Sequence, residues 1–246
     1  MNANLQLLVW VLGSLLIGLV TLNIAYTSGA GQIAKLTQAT PSGHLLSEIA
    51  AFIFHVGIPF VALIVGVLGL DHMALGQAQP NAILGFTAIE WLRGLGITLG
   101  TTLFVLITLW LMARSAFPLL SPSEAAGVGA HPMRGVGDIL RAALYAEVLW
   151  AFCRSLGTQW FNDSYWGAVL GFGLIGLTWV LHPNFRAQSQ LAPGRTQLAL
   201  QMVCLITSSA LYLGAQNLWL MIAAHIVLLW QGQRMLSRPQ SLISNP

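Results

Sequence analysis

Charge is scarce in this sequence. Only 7% of its 246 residues are Asp, Glu, Lys or Arg, and 56% are hydrophobic, whereas an ordinary soluble domain has about a quarter charged residues. The mean hydropathy of +0.75 agrees with that shortage. We therefore expect no soluble domain, and the composition predicts an integral membrane protein in contact with the lipid bilayer.

Cysteines and basic residues are also few. The two cysteines, Cys153 and Cys204, fall inside predicted helices, so a disulfide framework is not expected. The ten Lys and Arg residues are scattered along the chain and form no stripe of the kind that follows phosphates. We therefore expect no nucleic-acid partner.

Long apolar segments make up most of the sequence. Seven of them approach the roughly 20 residues that a helix needs to cross the hydrocarbon core of a bilayer. They are residues 5–26, 46–69, 94–115, 138–156, 165–182, 196–215 and 217–234. Residues 27–44 and 115–137 are rich in Gly, Ser, Thr and Pro and are predicted to be surface loops. The predicted fold class is all-α, a polytopic transmembrane helical bundle with about seven spans.

The distribution of basic residues predicts the orientation of these spans. One side of the predicted bundle carries eight of them, namely Lys35, Arg114, Arg134, Arg141, Arg186, Arg195, Arg234 and Arg238. The other side carries Arg93 and Arg154. Because cytoplasmic flanks carry the excess of Lys and Arg, the N-terminus is predicted outside and the C-terminus in the cytoplasm. We expect a bacterial inner (plasma) or internal membrane.

Ionisable side chains within a predicted span are candidates for function, because they are costly in lipid and usually face the bundle interior. In the second span, Glu48 and His55 are seven residues apart and share one helix face. An interfacial carboxylate and a histidine hydrogen-bonded to a neighbouring helix would explain them without a function.

The fourth span carries four charged residues. Asp138 and Arg141 are expected to form a local ion pair near the cytoplasmic surface. Glu147 lies about ten residues into the span, where an isolated carboxylate must be protonated or paired. Arg154 projects from the same face two turns later, and its long side chain either faces Glu147 or extends outward to the membrane surface.

Two histidines complete the set of candidates. His182 closes the fifth span before Pro183, which prevents normal continuation of the helix, and His225 lies about eight residues into the seventh span. We expect His225 to pair with Glu147 first, and with Ser208 or Ser209 next. Helix rise places His182 ~10 Å or more away from them in depth, unless the fifth helix is displaced or broken.

Three motifs carry a resemblance to a known family. AEVLWAF at 146–152, LTWVLH at 177–182 and NLWLMIAAHIVLL at 217–229 resemble, in order, the E-E-x-x-x-R, F-x-x-x-H and L-W-x-x-x-x-x-H-x-x-x-N patterns of the CPBP intramembrane proteases, which include CaaX-processing and bacteriocin-processing proteins. The resemblance divides the chain into an N-terminal three-span region, residues 1–137, and a CPBP-like four-helix core, residues 138–246.

The resemblance implies roles for individual residues. In the family, glutamate and histidine activate a water that attacks a peptide carbonyl, while asparagine and a histidine stabilise the oxyanion. Glu147, His182 and His225 match catalytic positions of the family. Three of six signature positions are lost, because Ala146, Ala151 and Leu229 replace a glutamate, the arginine and the asparagine. The Phe position is also changed, falling on Leu177 or Thr178.

Three functions follow as hypotheses. The first is a catalytically degenerate CPBP-like protein that serves as scaffold, assembly factor or accessory subunit of a larger membrane complex with other membrane proteins. The second is an active intramembrane endopeptidase acting on a membrane-embedded or prenylated polypeptide through Glu147, His182 and His225. The third is a pigment- or haem-associated subunit, because intramembrane His55 and His225 are candidate axial ligands. A metal between Glu147, His182 and His225 is a further alternative, because three such ligands would suit zinc, but no metal site is predicted.

Overall fold

A computed structural model describes residues 2–26, 40–77, 80–116, 135–183, 185, 190 and 192–237. Within these ranges the chain is helical and has no strand beyond an isolated bridge between Ile83 and Phe86, which confirms the all-α class. The helices are α1 (Ala3–Tyr26), α2 (Pro41–Phe52), α3 (Ile58–Ile64), α4 (Ala88–Ala116), α5 (Val136–Phe161), α6 (Ser164–Leu181), α7 (Ala192–Gly214) and α8 (Leu218–Ser237). A π-helical turn, Ile53–Gly57, joins α2 to α3.

Five helical segments of the described chain are long and apolar enough to cross a membrane. They are Ala3–Thr21, Ser42–Ile64, Ala88–Ser115, Ser164–Leu181 and Gly194–Gly214. The predicted segments 138–156 and 217–234 are helical as α5 and α8 but do not belong to this group. Charged residues interrupt α5, and α8 ends in a polar stretch around Gln231 and Arg234. The five segments indicate an integral membrane protein, while the span count and orientation stay predictions.

The second predicted span differs from the structure at both ends. It begins earlier, because Thr40 acts as an N-cap whose hydroxyl accepts a hydrogen bond from the backbone of Gly43 at 3.2 Å, and Pro41 occupies the first turn. These are the residue types that favour a helix start, so assigning 41–44 to a loop was wrong. The helix ends at Ile64 rather than residue 69, because Gly66 adopts a positive φ of 76°, a geometry that terminates helices.

The second predicted loop is also shorter than expected where it is described. Residues 115–116 belong to α4 and residues 136–137 to α5, while 117–134 lie outside the described residues. Most of the first predicted loop, 27–39, lies outside them as well.

The chain divides into two compact units. The first comprises Met1–Ala74 and Tyr145–Arg186, and so contains α1, α2, α3, α6 and most of α5. Its first helix packs against α3 and α6 through one face that carries Leu7, Val11, Leu15 and Gly18. A Cβ on Gly18 would lie 2.5 Å from the ring of Phe54, so α1 meets the π-helical turn closely at that glycine.

The second unit comprises Leu75–Leu144 and Ala187–Pro246. Helices α4, α7 and α8 pack against one another there, around buried residues that include Leu205, Leu211 and Leu228. Small residues again allow close approach, because a Cβ on Gly94 would lie 2.9 Å from the Leu220 side chain. The division into 1–137 and 138–246 was based on motifs rather than packing, and it stays a prediction.

Candidate functional site

The deepest charged groups of the first unit lie on α5. Glu147 and Arg154 are seven residues apart on one helix face, and Nη1 of Arg154 lies 3.8 Å from Oε2 of Glu147. Neither side chain has exposed surface. The Arg154 side chain therefore turns inward toward the carboxylate, and the outward orientation considered from the sequence is not observed.

Helix α6 covers the Arg154 side of this ion pair. A Cβ on Gly171 would lie 2.5 Å from Cγ of Arg154, and one on Gly167 would lie 3.0 Å from the Arg154 carbonyl oxygen. The opposite face of α6 is open, since a Cβ on Gly173 or Gly176 would meet no atom within 4 Å. Two of the glycines in GAVLGFGLIGL thus bring the backbone of α6 onto α5, as small residues do between membrane helices.

Two glycines fix the antiparallel contact between α5 and α6, because Gly171 faces Arg154 and Gly167 faces Thr158. The depth of His182 relative to Glu147 and His225 stays a prediction.

His182 itself caps the C-terminal end of α6. Its backbone is extended, with ψ of 123°, and its amide donates to the carbonyl of Trp179 at 3.2 Å. The Trp179 ring meets Trp150 of α5 edge to face at 6.3 Å between centroids. His182 lies just beyond the apolar segment Ser164–Leu181, and burial lowers its pKa below the ordinary value.

His225 belongs to the second unit, where α8 buries it to 5% exposure. Of its expected serine partners, the hydroxyl of Ser208 lies 3.9 Å from Sδ of Met221. The buried hydroxyl of Ser209 has no hydrogen-bond partner among the described residues, so pairing between Ser209 and His225 was a wrong expectation. The approach of His225 to Glu147 stays a prediction.

His55 lies in the π-helical turn of the first unit. Its Nδ1 is 2.8 Å from the carbonyl oxygen of Ala51, so its hydrogen bond is made within its own helical segment and not to a neighbouring helix as expected. The Tyr145 ring stacks on the imidazole with centroids 5.2 Å apart and an interplanar angle of 9°. Glu48, its predicted neighbour on the same face, is half-buried on α2.

Sequence reasoning missed three features of these regions. The π-helical turn and the stacking of Tyr145 on His55 have no recognisable signal in the sequence. Asn217 does have one, because an Asn directly before an apolar helix is a typical N-cap. Its Oδ1 accepts hydrogen bonds from the amides of Trp219 and Leu220 at 3.0 and 3.2 Å, which fixes the start of α8.

The zinc alternative has no support in the described ranges, since no group of three or more His, Cys, Asp and Glu side chains there is arranged to hold a metal ion. The described residues are helical, and five of their segments are long and apolar enough to cross a membrane, which indicates the class, an integral membrane protein. No family model matches the chain, and no curated protein or solved structure matches it. The resemblance to the CPBP family therefore rests on the three motifs alone and stays a prediction.

Proposed function

We propose that this protein is a catalytically degenerate CPBP-like membrane protein that acts as a scaffold, assembly factor or accessory subunit of a larger membrane complex. The observation that supports this most is the Glu147–Arg154 ion pair, which has no exposed surface. In this proposal the pair stabilises the α5–α6 contact and has no part in hydrolysis.

A general base must reach a water molecule and the substrate. The Glu147 carboxylate has no exposed surface and lies 3.8 Å from the guanidinium of Arg154. Its burial keeps substrate away, which argues against a catalytic glutamate at this position and favours a structural one.

The substituted signature positions support the same proposal. Ala151 is fully buried and Leu229 is 5% exposed, so apolar side chains fill the interior where the family pattern has arginine and asparagine. A preorganised donor at an oxyanion contributes about 3 to 4 kcal/mol to catalysis. A buried leucine cannot supply it.

The proposal includes the topology and location expected from the sequence. In it, α5 and α8 join the five apolar segments as spans, with the N-terminus outside and the C-terminus in the cytoplasm of a bacterial inner or internal membrane. Paired charges on one face of α5 make such a span feasible, because ionisable groups within membranes face the interior and pair with one another.

Peptide cleavage by the purified protein tests the absence of catalysis. Membrane-embedded and prenylated peptides are incubated with wild-type protein and with the matched Glu147→Gln variant. We expect no cleavage that depends on Glu147. Cleavage by the wild type that is lost in the variant would establish the endopeptidase instead.

Affinity purification from native membranes in mild detergent tests the subunit role. We expect a defined membrane polypeptide to accompany the protein at constant stoichiometry through a second column. A double variant, Glu147→Leu with Arg154→Met, removes both charges and should retain that partner if the pair is structural. A protein that purifies alone in every detergent would contradict the scaffold role.

A further inference from the structure

Four aromatic side chains, the aromatic cluster, lie at the turn between α5 and α6 in the first unit. Trp160 and Phe161 end α5, and Tyr165 and Trp166 lie in the first turn of α6. The centroid of the Trp166 ring is 5.2 Å from that of Phe161 and 5.8 Å from that of Tyr165. All four side chains are between 42% and 56% exposed. Exposed apolar patches of this kind mark surfaces that meet a partner or a membrane.

The tip of this turn is polar. Asn162 and Asp163 join the two helices, with a positive φ of 51° at Asn162. The Asp163 carboxylate caps α6 by accepting a hydrogen bond from the Tyr165 amide at 2.8 Å. Both tip residues are exposed. An apolar helix, a layer of aromatic rings and a polar tip therefore follow one another along the axis of α6.

The exposed surface continues from the aromatic cluster along one face of α6. At 3.6 residues per turn, six exposed side chains of this helix lie within an arc of about 140°, namely Tyr165, Trp166, Val169, Phe172, Leu177 and Val180. The opposite face meets α5 through Gly167 and Gly171. Because the segment Ser164–Leu181 is long and apolar enough to cross a membrane, the exposed face fits the acyl chains of lipids.

We propose that the aromatic cluster lies in the headgroup region of one lipid leaflet and holds the α5–α6 turn at the membrane surface. Trp and Tyr concentrate at this boundary because their rings are apolar while the indole N–H and the phenol hydroxyl reach water. The bilayer is favoured over a protein partner because the cluster continues into the exposed apolar face of α6. One occupant, lipid, then covers both surfaces.

This position determines the depth of the buried ion pair. Arg154 and Glu147 are seven and fourteen residues before Phe161 on α5, or about 10 and 21 Å from it at the rise of an α-helix. The hydrocarbon core is about 30 Å thick, so both charges lie within it. The inference rests on the membrane location in the proposed function, but it uses neither the family resemblance nor the subunit role.

Nitroxide spin labels on the full-length protein in phosphatidylcholine vesicles test the level of the turn. The labelled variants are Tyr165→Cys, Val169→Cys and Phe172→Cys, each made together with Cys153→Ala and Cys204→Ala so that one cysteine remains. Collision of the label with oxygen and with a water-soluble nickel chelate measures its depth. We expect the label at 165 among the lipid headgroups, and the labels at 169 and 172 about 6 and 10 Å deeper.

Three results would overturn the proposal. The label at 165 could collide with the nickel chelate as freely as in bulk water, or it could lie as deep as the label at 172. It could also be shielded from both reagents, which would mean that protein covers the cluster. If the label at 172 still reports hydrocarbon in any of these cases, the membrane location in the proposed function stands while the level of the turn is refuted.

Tryptophan quenching gives a second measurement on protein that retains both native cysteines. Wild type, Trp166→Phe and the matched control Trp150→Phe, which removes an indole that is only 4% exposed, are reconstituted in phosphatidylcholine brominated near the top of the acyl chains. We expect Trp166→Phe to lower the fraction of fluorescence that the bromines quench, and Trp150→Phe to raise it. A quenched fraction that Trp166→Phe leaves unchanged or raises would place that indole away from lipid and overturn the proposal.

Discussion

The two units bury polar groups of different kinds. In the first unit the most buried polar groups include a carboxylate and a guanidinium, Glu147 and Arg154, which pair along one helix face. In the described part of the second unit they include uncharged groups, namely the hydroxyls of Thr98 and Thr102 and the side-chain amide of Asn217. A charge inside a membrane protein requires an oppositely charged partner and a neighbouring segment that shields it from lipid. Helix α6 shields Arg154, because its glycines allow a close approach. Neutral groups can be buried individually at far lower cost.

The largest expected effect comes from breaking the ion pair. Arg154→Met leaves the Glu147 carboxylate buried without its cation and should lower the free energy of unfolding by about 3 to 5 kcal/mol. Replacing both partners, with Glu147→Leu added, should recover most of that loss because no charge remains buried. Denaturant unfolding in detergent micelles, followed by tryptophan fluorescence, measures both. A double variant as unstable as the single one would contradict this account of the first unit.

The close contact between Gly171 of α6 and Arg154 of α5 should be the next most sensitive to substitution. Gly171→Ala places a methyl group against Cγ of Arg154, and overpacking of this kind costs about 1 to 3 kcal/mol. Gly173→Ala is the matched control, because its methyl group enters open space on the same helix, and removal of a helical glycine should stabilise by about 0.5 to 1 kcal/mol. We expect Gly171→Ala to lower the free energy of unfolding and Gly173→Ala to raise it. Equal effects would mean that close approach at Gly171 is unimportant.

In the second unit, the cap of α8 should be a smaller determinant. Asn217→Ala removes the acceptor of two backbone amides and should cost about 1 kcal/mol, within the range for N-cap substitutions. Asn217→Ser preserves an oxygen acceptor and should retain most of the stability. Thermal unfolding of the three proteins compares them, and an alanine variant as stable as wild type would show that the cap does not limit stability.

The smallest expected effect on stability is the difference between removing a buried hydroxyl without a hydrogen-bond partner and removing one that has a partner. The buried hydroxyl of Thr98 has no hydrogen-bond partner among the described residues, so Thr98→Val should be neutral or stabilising by up to about 1 kcal/mol. Thr207→Val is the matched control, because the Thr207 hydroxyl donates to the carbonyl oxygen of Val203 at 2.7 Å. It should destabilise by about 1 kcal/mol. Identical unfolding curves for the two variants would remove the distinction.

Each of the seven predicted segments coincides with a helix over most of its length, because length and hydropathy are properties of a segment by itself. Their ends were less predictable. Pro41 and Gly43 favoured a loop by residue type, yet Thr40 and Pro41 begin a helix. A turn residue and a helix-start residue share the same chemistry, so position relative to the cap decides between them.

The candidate site was predictable only in part. The spacing of ionisable residues in the predicted fourth span identified Glu147 as a carboxylate that must be protonated or paired, and it placed Arg154 on the same helix face. It could not choose between the two orientations of Arg154, because that choice depends on which neighbouring helix covers α5 and how closely it approaches. The geometry of His55 also escaped prediction, since the π-helical turn changes the local register without a distinctive residue.

By itself, the sequence indicated the helical membrane class, the approximate positions of the apolar helices and Glu147 as a buried ionisable residue, because each depends on the composition of a short stretch. Only the tertiary structure decided that Arg154 turns inward, that Gly171 rather than Gly173 lies against it, and that Tyr145 holds His55 by stacking. These outcomes depend on a facing helix far away in the chain, and no local average of hydropathy contains that information.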